Sequence, residues 1–131
     1  GKILREGNDV TLIGCGIMVA TCLEAAALLS HEGIRARVID IITIKPLDTK
    51  LLLDSAVITK AIVTAENANI LGGLGSAVAE YLTTVYPVPV LRVGVEDTFG
   101  RVGIESFLRE TYGLTAKNIA AKAKMAIELK R

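Results

Sequence analysis

KAIVTAENANILGGLGSAVAEYLTTV, residues 60–85, decides the fold. Ala61-Ile62-Val63-Thr64 is a short, β-branched apolar run of the kind that forms a buried strand. It ends on Glu66-Asn67, a carboxylate and an amide where the strand should leave its sheet. Gly72-Gly73 and Gly75-Ser76 then open a helix. Leu74, Ala77, Val78, Tyr81, Leu82 and Val85 recur at helical spacing and mark its inner face. A polar strand end and a glycine-lined helix start thus face one crevice, the usual docking place in an open α/β sheet.

The pattern extends to both sides. Lys2–Arg5 and residues 10–13 read as strands around the turn-rich tetrad Glu6-Gly7-Asn8-Asp9. A helix over about 17–31 follows, almost wholly apolar between Ile17 and Leu29, with Gly33 as its stop. Residues 35–41 form a strand, with the apolar run continuing through Ile42 and Ile44. A short helix over 49–56 has Asp48 as N-cap. After the central unit come a Pro87/Pro89 connector, a strand at 90–93 and a two-glycine loop through 95–103. A short helix at 104–112 turns Phe107, Leu108 and Tyr112 inward and pairs Glu105 with Arg109 outside. A last helix at 116–129 is capped by Thr115, with Ile119, Ala120, Ala123, Ala126 and Ile127 inward. Alternating β and α with near-continuous apolar strands predicts one α/β domain over 1–131: three layers, a mostly parallel sheet and helices on both faces.

Composition excludes several functions. With 15 basic and 14 acidic residues the net charge is +1, and only 4% of residues are aromatic, so neither an electrostatic footprint nor stacking platforms for nucleic acid are expected. No apolar run reaches the ~18–20 residues of a membrane span, and the opening residues show no secretory signal pattern. Cys15 and Cys22, placed on one helix, would lie ~10 Å apart, beyond the ~7 Å limit for a disulfide. They read as buried hydrophobes in a reducing cytoplasm. The chain is 51% hydrophobic, high enough to predict self-association or an apolar interface.

Other motifs are weak. Gly14-Cys15-Gly16 follows a strand, but Val19 stands where a dinucleotide fingerprint needs glycine and Asp40 comes late for a ribose acid. His31 falls on a polar helix end, and Met18 and Met125 read as core filler. One histidine and two cysteines make no metal cluster or nucleophilic constellation. The sharpest signal is the central one. Free N–H groups near Gly73 and Gly75, with Asn67 and Ser76 as side-chain donors, form a possible anion site. A tight turn and close helix–sheet packing are the more ordinary account of the glycines, and Glu66 would repel an anion unless paired.

AENANILGGLGSAVAEYL (65–82) and EDTFGRVGIESFLRETYGLTAKNI (96–119) resemble the signature stretches of the C-terminal domain of transketolase. GKILREGNDVTLIGCG (1–16) and VIDIITIKPLD (38–48) resemble the same family, so the likeness covers nearly the whole chain. It is nearest to the C-terminal subunit of split transketolases. The same domain type closes deoxyxylulose-phosphate synthase and 2-oxo-acid dehydrogenase β-subunits. Two positions depart: Asn67 and Ala68 replace the family's second Glu and His, and Val102 stands where Ser is usual.

The resemblance implies a five-stranded mixed sheet with one antiparallel strand. In such enzymes thiamine diphosphate and magnesium lie between an N-terminal and a middle domain, and neither domain is in this chain. It therefore implies no catalytic, cofactor-binding or metal residue here, although Glu66 with Asn67 and Glu96 with Asp97 are clustered. The implied role is support of the dimer, or another homo-oligomer, or regulation, and packing against the middle, pyrimidine-binding domain and the N-terminal subunit of a cytoplasmic enzyme of pentose phosphate chemistry. The alternatives are a free-standing module binding a phosphorylated metabolite, and the last domain of a 2-oxo-acid dehydrogenase β-subunit.

Overall fold

The structure, a computed structural model, describes residues 1–41, 46–69, 73–95 and 115–130, without the side chains of 67–69 and 95. The strands are β1 (Lys2–Arg5), β2 (Val10–Gly14), β3 (Ala36–Asp40), β4 (Ile62–Asn69) and β5 (Val90–Val95), and the helices are α1 (Met18–Ser30), α2 (Thr49–Thr59), α3 (Leu74–Val85) and α4 (Ala116–Leu129). The sheet order is β1-β3-β2-β4-β5. β1 runs antiparallel to β3 and every other pairing is parallel, which is the mixed five-stranded sheet the family likeness implies. The expected helix at 104–112, the loop at 96–103 with Val102, and Ile42 and Ile44 lie outside the described residues.

Strand alternation sorts the two cores. Val10 and Leu12 of β2, Val38 of β3 and Val63 and Ala65 of β4 pack with Met18, Cys22, Ala25 and Leu29 of α1 and with Ile119, Ala123 and Ala126 of α4. The intervening Ile13, Ile39 and Ile62 join Leu52 and Ala56 of α2 and Leu74, Val78 and Leu82 of α3. β2 lies between β3 and β4 and is buried along its length, so the centre of the sheet is covered on both faces.

Local signals fix the helix starts. Asp48 Oδ1 accepts a hydrogen bond from the Leu51 N–H at 3.2 Å, and Thr115 Oγ1 accepts from the Asn118 N–H at 3.2 Å. Gly33 takes a positive φ of 76°, as a helix-stopping glycine should. Polar groups on the α2 side are tied across the layer. The Thr11 and Thr59 hydroxyls meet at 2.7 Å, and Lys130 Nζ donates to the Asp9 and Thr59 carbonyls at 2.7 Å each.

Several expectations need correction. α2 continues through Thr59, ending at Lys60 with φ 58°, and β4 runs on through Asn69, so Glu66 stands inside a strand. Met18 is core, but Met125 is 52% exposed because its position on α4 faces outward. Cys15 precedes α1 and is half-buried, whereas Cys22 is buried in α1; both are free thiols. Burial drives the Cys22 pKa up to about 12, and burial followed by the Glu66 and Asp40 carboxylates raises that of Cys15. Raised values mean little thiolate. At pH 8 a thiol reagent should therefore label Cys15 slowly and Cys22 only as the chain unfolds; mass-resolved labelling that finds Cys22 the faster would contradict this.

Candidate functional site

The crevice between β4 and α3 has a specific construction. Ile62, Thr64 and Glu66 alternate onto the α3 side of β4. Glu66 is 4% exposed and its carboxylate meets the first turn of the helix. Oε2 accepts from the Leu74 N–H at 2.7 Å and Oε1 from the Gly75 N–H at 3.1 Å. Gly73, the N-cap residue, offers no side chain. The helix is therefore capped from the sheet, eight and nine residues back along the chain, by a carboxylate matched to the positive end of its dipole.

The glycines are explained by this packing. A Cβ on Gly73 would collide with the Glu66 carboxylate, and one on Gly75 would lie 2.8 Å from Thr64 Oγ1 and 2.9 Å from the Arg92 stem. Arg92 is the register partner of Thr64 across β4 and β5. Its Nη1 reaches Ser76 Oγ at 3.4 Å, a long hydrogen bond. Gly73, Gly75 and Ser76 thus gather at one helix start, as the sequence indicates, while the Asn67 side chain lies outside the described residues. The Leu74 and Gly75 donors are held by Glu66. Sequence reasoning missed this cap and missed Arg92; the only signal was a strand-end carboxylate ahead of a double glycine.

The Glu66 and Asp40 carboxylates both act on the Cys15 thiol at the carboxyl end of the sheet. Among the described residues no group of three or more His, Cys, Asp or Glu side chains could hold a metal ion. Thr64 Oγ1 is sealed from solvent without a hydrogen-bond partner. A buried hydroxyl left unpaired costs ~1–3 kcal/mol. Thr64→Val should therefore raise stability by about 0.5–1.5 kcal/mol, read from the urea midpoint; a lower midpoint would show that the hydroxyl has a partner in solution.

Comparison with known proteins gives a consistent result. The family model described as transketolase, C-terminal domain, matches residues 1–119. The 6-deoxy-6-sulfo-D-fructose transketolase subunit SqwH of a Clostridium species is 52% identical over 129 residues, covering 98% of this chain and 40% of the relative. The 1-deoxy-D-xylulose-5-phosphate synthase of Heliobacterium modesticaldum is 45% identical over 125 residues, covering 95% of this chain and 19% of the relative. Among solved structures, an inactive β4 tetramer of a split-gene transketolase superposes with a TM-score of 0.95 at 52% identity, over 99% of this chain and 43% of that one. A Pichia stipitis transketolase shares the fold, with a TM-score of 0.64 at 16% identity over 97% of this chain and 18% of that one.

Proposed function

Because the chain belongs to the transketolase C-terminal-domain family, we propose that it is the last domain of a split, thiamine-diphosphate-dependent ketol transferase, docking on the cofactor-binding domains without holding the cofactor. The observation that carries this is the 52% identity to a transketolase subunit of which the chain makes up 40%. A deoxyxylulose-phosphate synthase is the second reading, favoured by 45% identity but over 19% of the relative's length. The described residues do not fit thiamine diphosphate. The glycine-lined start of α3 is filled by Glu66, which repels a diphosphate, and no described cluster suits magnesium. The same occupancy weighs against a free-standing phosphometabolite module. The substrate, a sulfonated or phosphorylated sugar, is then read by other domains. Two free thiols accord with a reducing, cytoplasmic setting.

The outer face of α1 supports the docking role. Ile17, Leu23 and Leu28 are 49%, 36% and 40% exposed, with Ala20 and Ala27 exposed between them and Glu24 the one charged residue on that face. Such a face is covered in an assembly with a second copy or a neighbouring domain. Sedimentation should show the chain associating, and Leu23→Glu with Leu28→Glu should return it to monomer; a wild-type monomer would contradict the interface. Calorimetric titration with thiamine diphosphate and magnesium tests the other half. Binding tighter than ~100 μM to this chain alone would overturn the non-catalytic role.

A further inference from the structure

The amino-terminal end of the sheet carries a charged cluster that the α3 crevice leaves unexplained. Arg37 on β3 is only 5% exposed. Its Nε donates to Ser55 Oγ on α2 at 2.9 Å, and its Nη1 donates to Glu6 Oε1 at 2.6 Å. The two ends of this ion pair differ: the Arg37 side chain is 6% exposed, whereas that of Glu6 is 75% exposed. A guanidinium carries five N–H donors in a fixed fork, of which these bonds use two. The Arg37 side chain also lines the space beside it, next to Glu6 and Ile58.

That space is two cavities meeting at Arg37 and Ile58. One, of about 300 Å³, is bordered by Asn8 and Arg35, and the other, of about 600 Å³, by Leu53, Asp54 and Val57. Glu6 borders both. The wall is firm, because the turn carrying Glu6 is fastened to β3. The Asp9 N–H donates to the Arg35 carbonyl at 3.0 Å, and the Arg35 N–H donates to Asp9 Oδ2 at 2.7 Å. Val57 and Ile58 are 45% and 47% exposed and give the opening an aliphatic side.

We propose that this is a binding site for a small aliphatic monocarboxylate, which Arg37 holds through its guanidinium fork in place of Glu6, with the hydrocarbon on Leu53, Val57 and Ile58. A buried, oriented guanidinium with unused donors favours a planar carboxylate over a spherical ion. Charge selects one negative unit: Arg35 and Arg37 face Glu6 and Asp54, so moving Glu6 aside leaves room for one carboxylate but disfavours a dianionic phosphate. The present Glu6 contact is the resting state, since an exposed side chain gains little from one monodentate bridge. The site rests on its own residues and not on the transketolase reading.

Isovalerate is the probe, titrated into the isotopically labelled chain at pH 7 and followed by the Arg37 Nε–H and Ile58 methyl signals. A saturable response with Kd of roughly 1–10 mM is expected. Glu6→Gln, which removes the competing carboxylate and keeps the turn, should tighten binding by about three-fold or more. Isovaleramide and inorganic phosphate should each bind at least about ten-fold more weakly. Arg37→Lys should abolish the response, and the Glu6→Gln result keeps the test decisive if that variant misfolds. No saturation by about 50 mM isovalerate in both the wild type and Glu6→Gln overturns the site. An equal response to the amide or to phosphate overturns the monocarboxylate assignment, and Glu6→Gln that lowers stability without strengthening the response marks the bridge as a fastener only.

Discussion

Glu66→Ala should remove about 2–4 kcal/mol of folding stability, among the largest effects available to a single substitution in this chain. The carboxylate accepts two helix-start N–H bonds at 2.7 and 3.1 Å in a buried position, and hydrogen bonds to a charged group contribute ~1.5–3 kcal/mol each before the losses overlap. Alanine leaves the Leu74 and Gly75 donors without an acceptor and removes the negative charge from the positive end of α3. Glu66→Gln keeps the shape and one acceptor, but turns an amide donor toward backbone donors; about half the loss is expected. Urea unfolding with an unchanged slope is the measurement. A Glu66→Ala midpoint within about 0.5 kcal/mol of wild type would remove the cap from the account. The anion site expected around Asn67, Gly73, Gly75 and Ser76 becomes a proposal about this variant. With Glu66 gone, added sulfate should restore part of the stability by mass action.

The second large effect is at the opposite end of the sheet. Gly7→Ala should cost about 2–3 kcal/mol, because a Cβ there meets main chain, which does not move aside as a side-chain tip would. The new atom would lie 2.5 Å from the Ala36 carbonyl carbon and 2.7 Å from its oxygen. To relieve this, the turn must lift from β3 and carry Asp9 off Arg35 and Glu6 off Arg37. Gly33 is the control: its φ is +76° and nothing lies within 4 Å of an added Cβ, so Gly33→Ala carries only the left-handed penalty of ~1–2 kcal/mol. Paired unfolding curves decide the order. If Gly33→Ala is the more harmful, the close approach at Gly7 is not maintained in solution.

These two glycines show where the sequence stops being legible. Both sit in turns and look alike as letters, yet one is required by a neighbouring strand and the other by its own dihedral angle. Local chemistry could be read directly: Asp48 and Thr115 bond to amides three residues ahead, and the period-two and helical patterns place the strands and helices. Long-range chemistry could not. The acceptor that starts α3 comes from inside β4, and Arg92 reaches the same turn only because β5 lies in register beside Thr64. Nothing in the letters ends α2 at Lys60, a residue that adopts the left-handed region without being glycine. Met125 could have been read correctly: the helical spacing that turns Ile119, Ala123, Ala126 and Ile127 inward leaves it on the outer side of α4. The antiparallel β1 came from the family likeness and not from hydrophobic spacing, which is the same for either strand direction.

The tie from Lys130 to Asp9 spans 121 positions of chain, and this sets the order of events during synthesis. A ribosome delivers Leu29 of α1 about 90 residues before Ile119, Ala123 and Ala126 of α4, which share its core. At ~5–20 residues per second the interval is on the order of ten seconds. Through it, Met18, Cys22, Ala25 and Leu29 can rest on the growing sheet but lack their second cover, and Lys130 cannot yet join the turn at Asp9 to the end of α2. The nascent chain therefore passes through a one-sided sheet with an open apolar helix, and a chaperone selecting apolar helical surface will engage α1 until α4 displaces it.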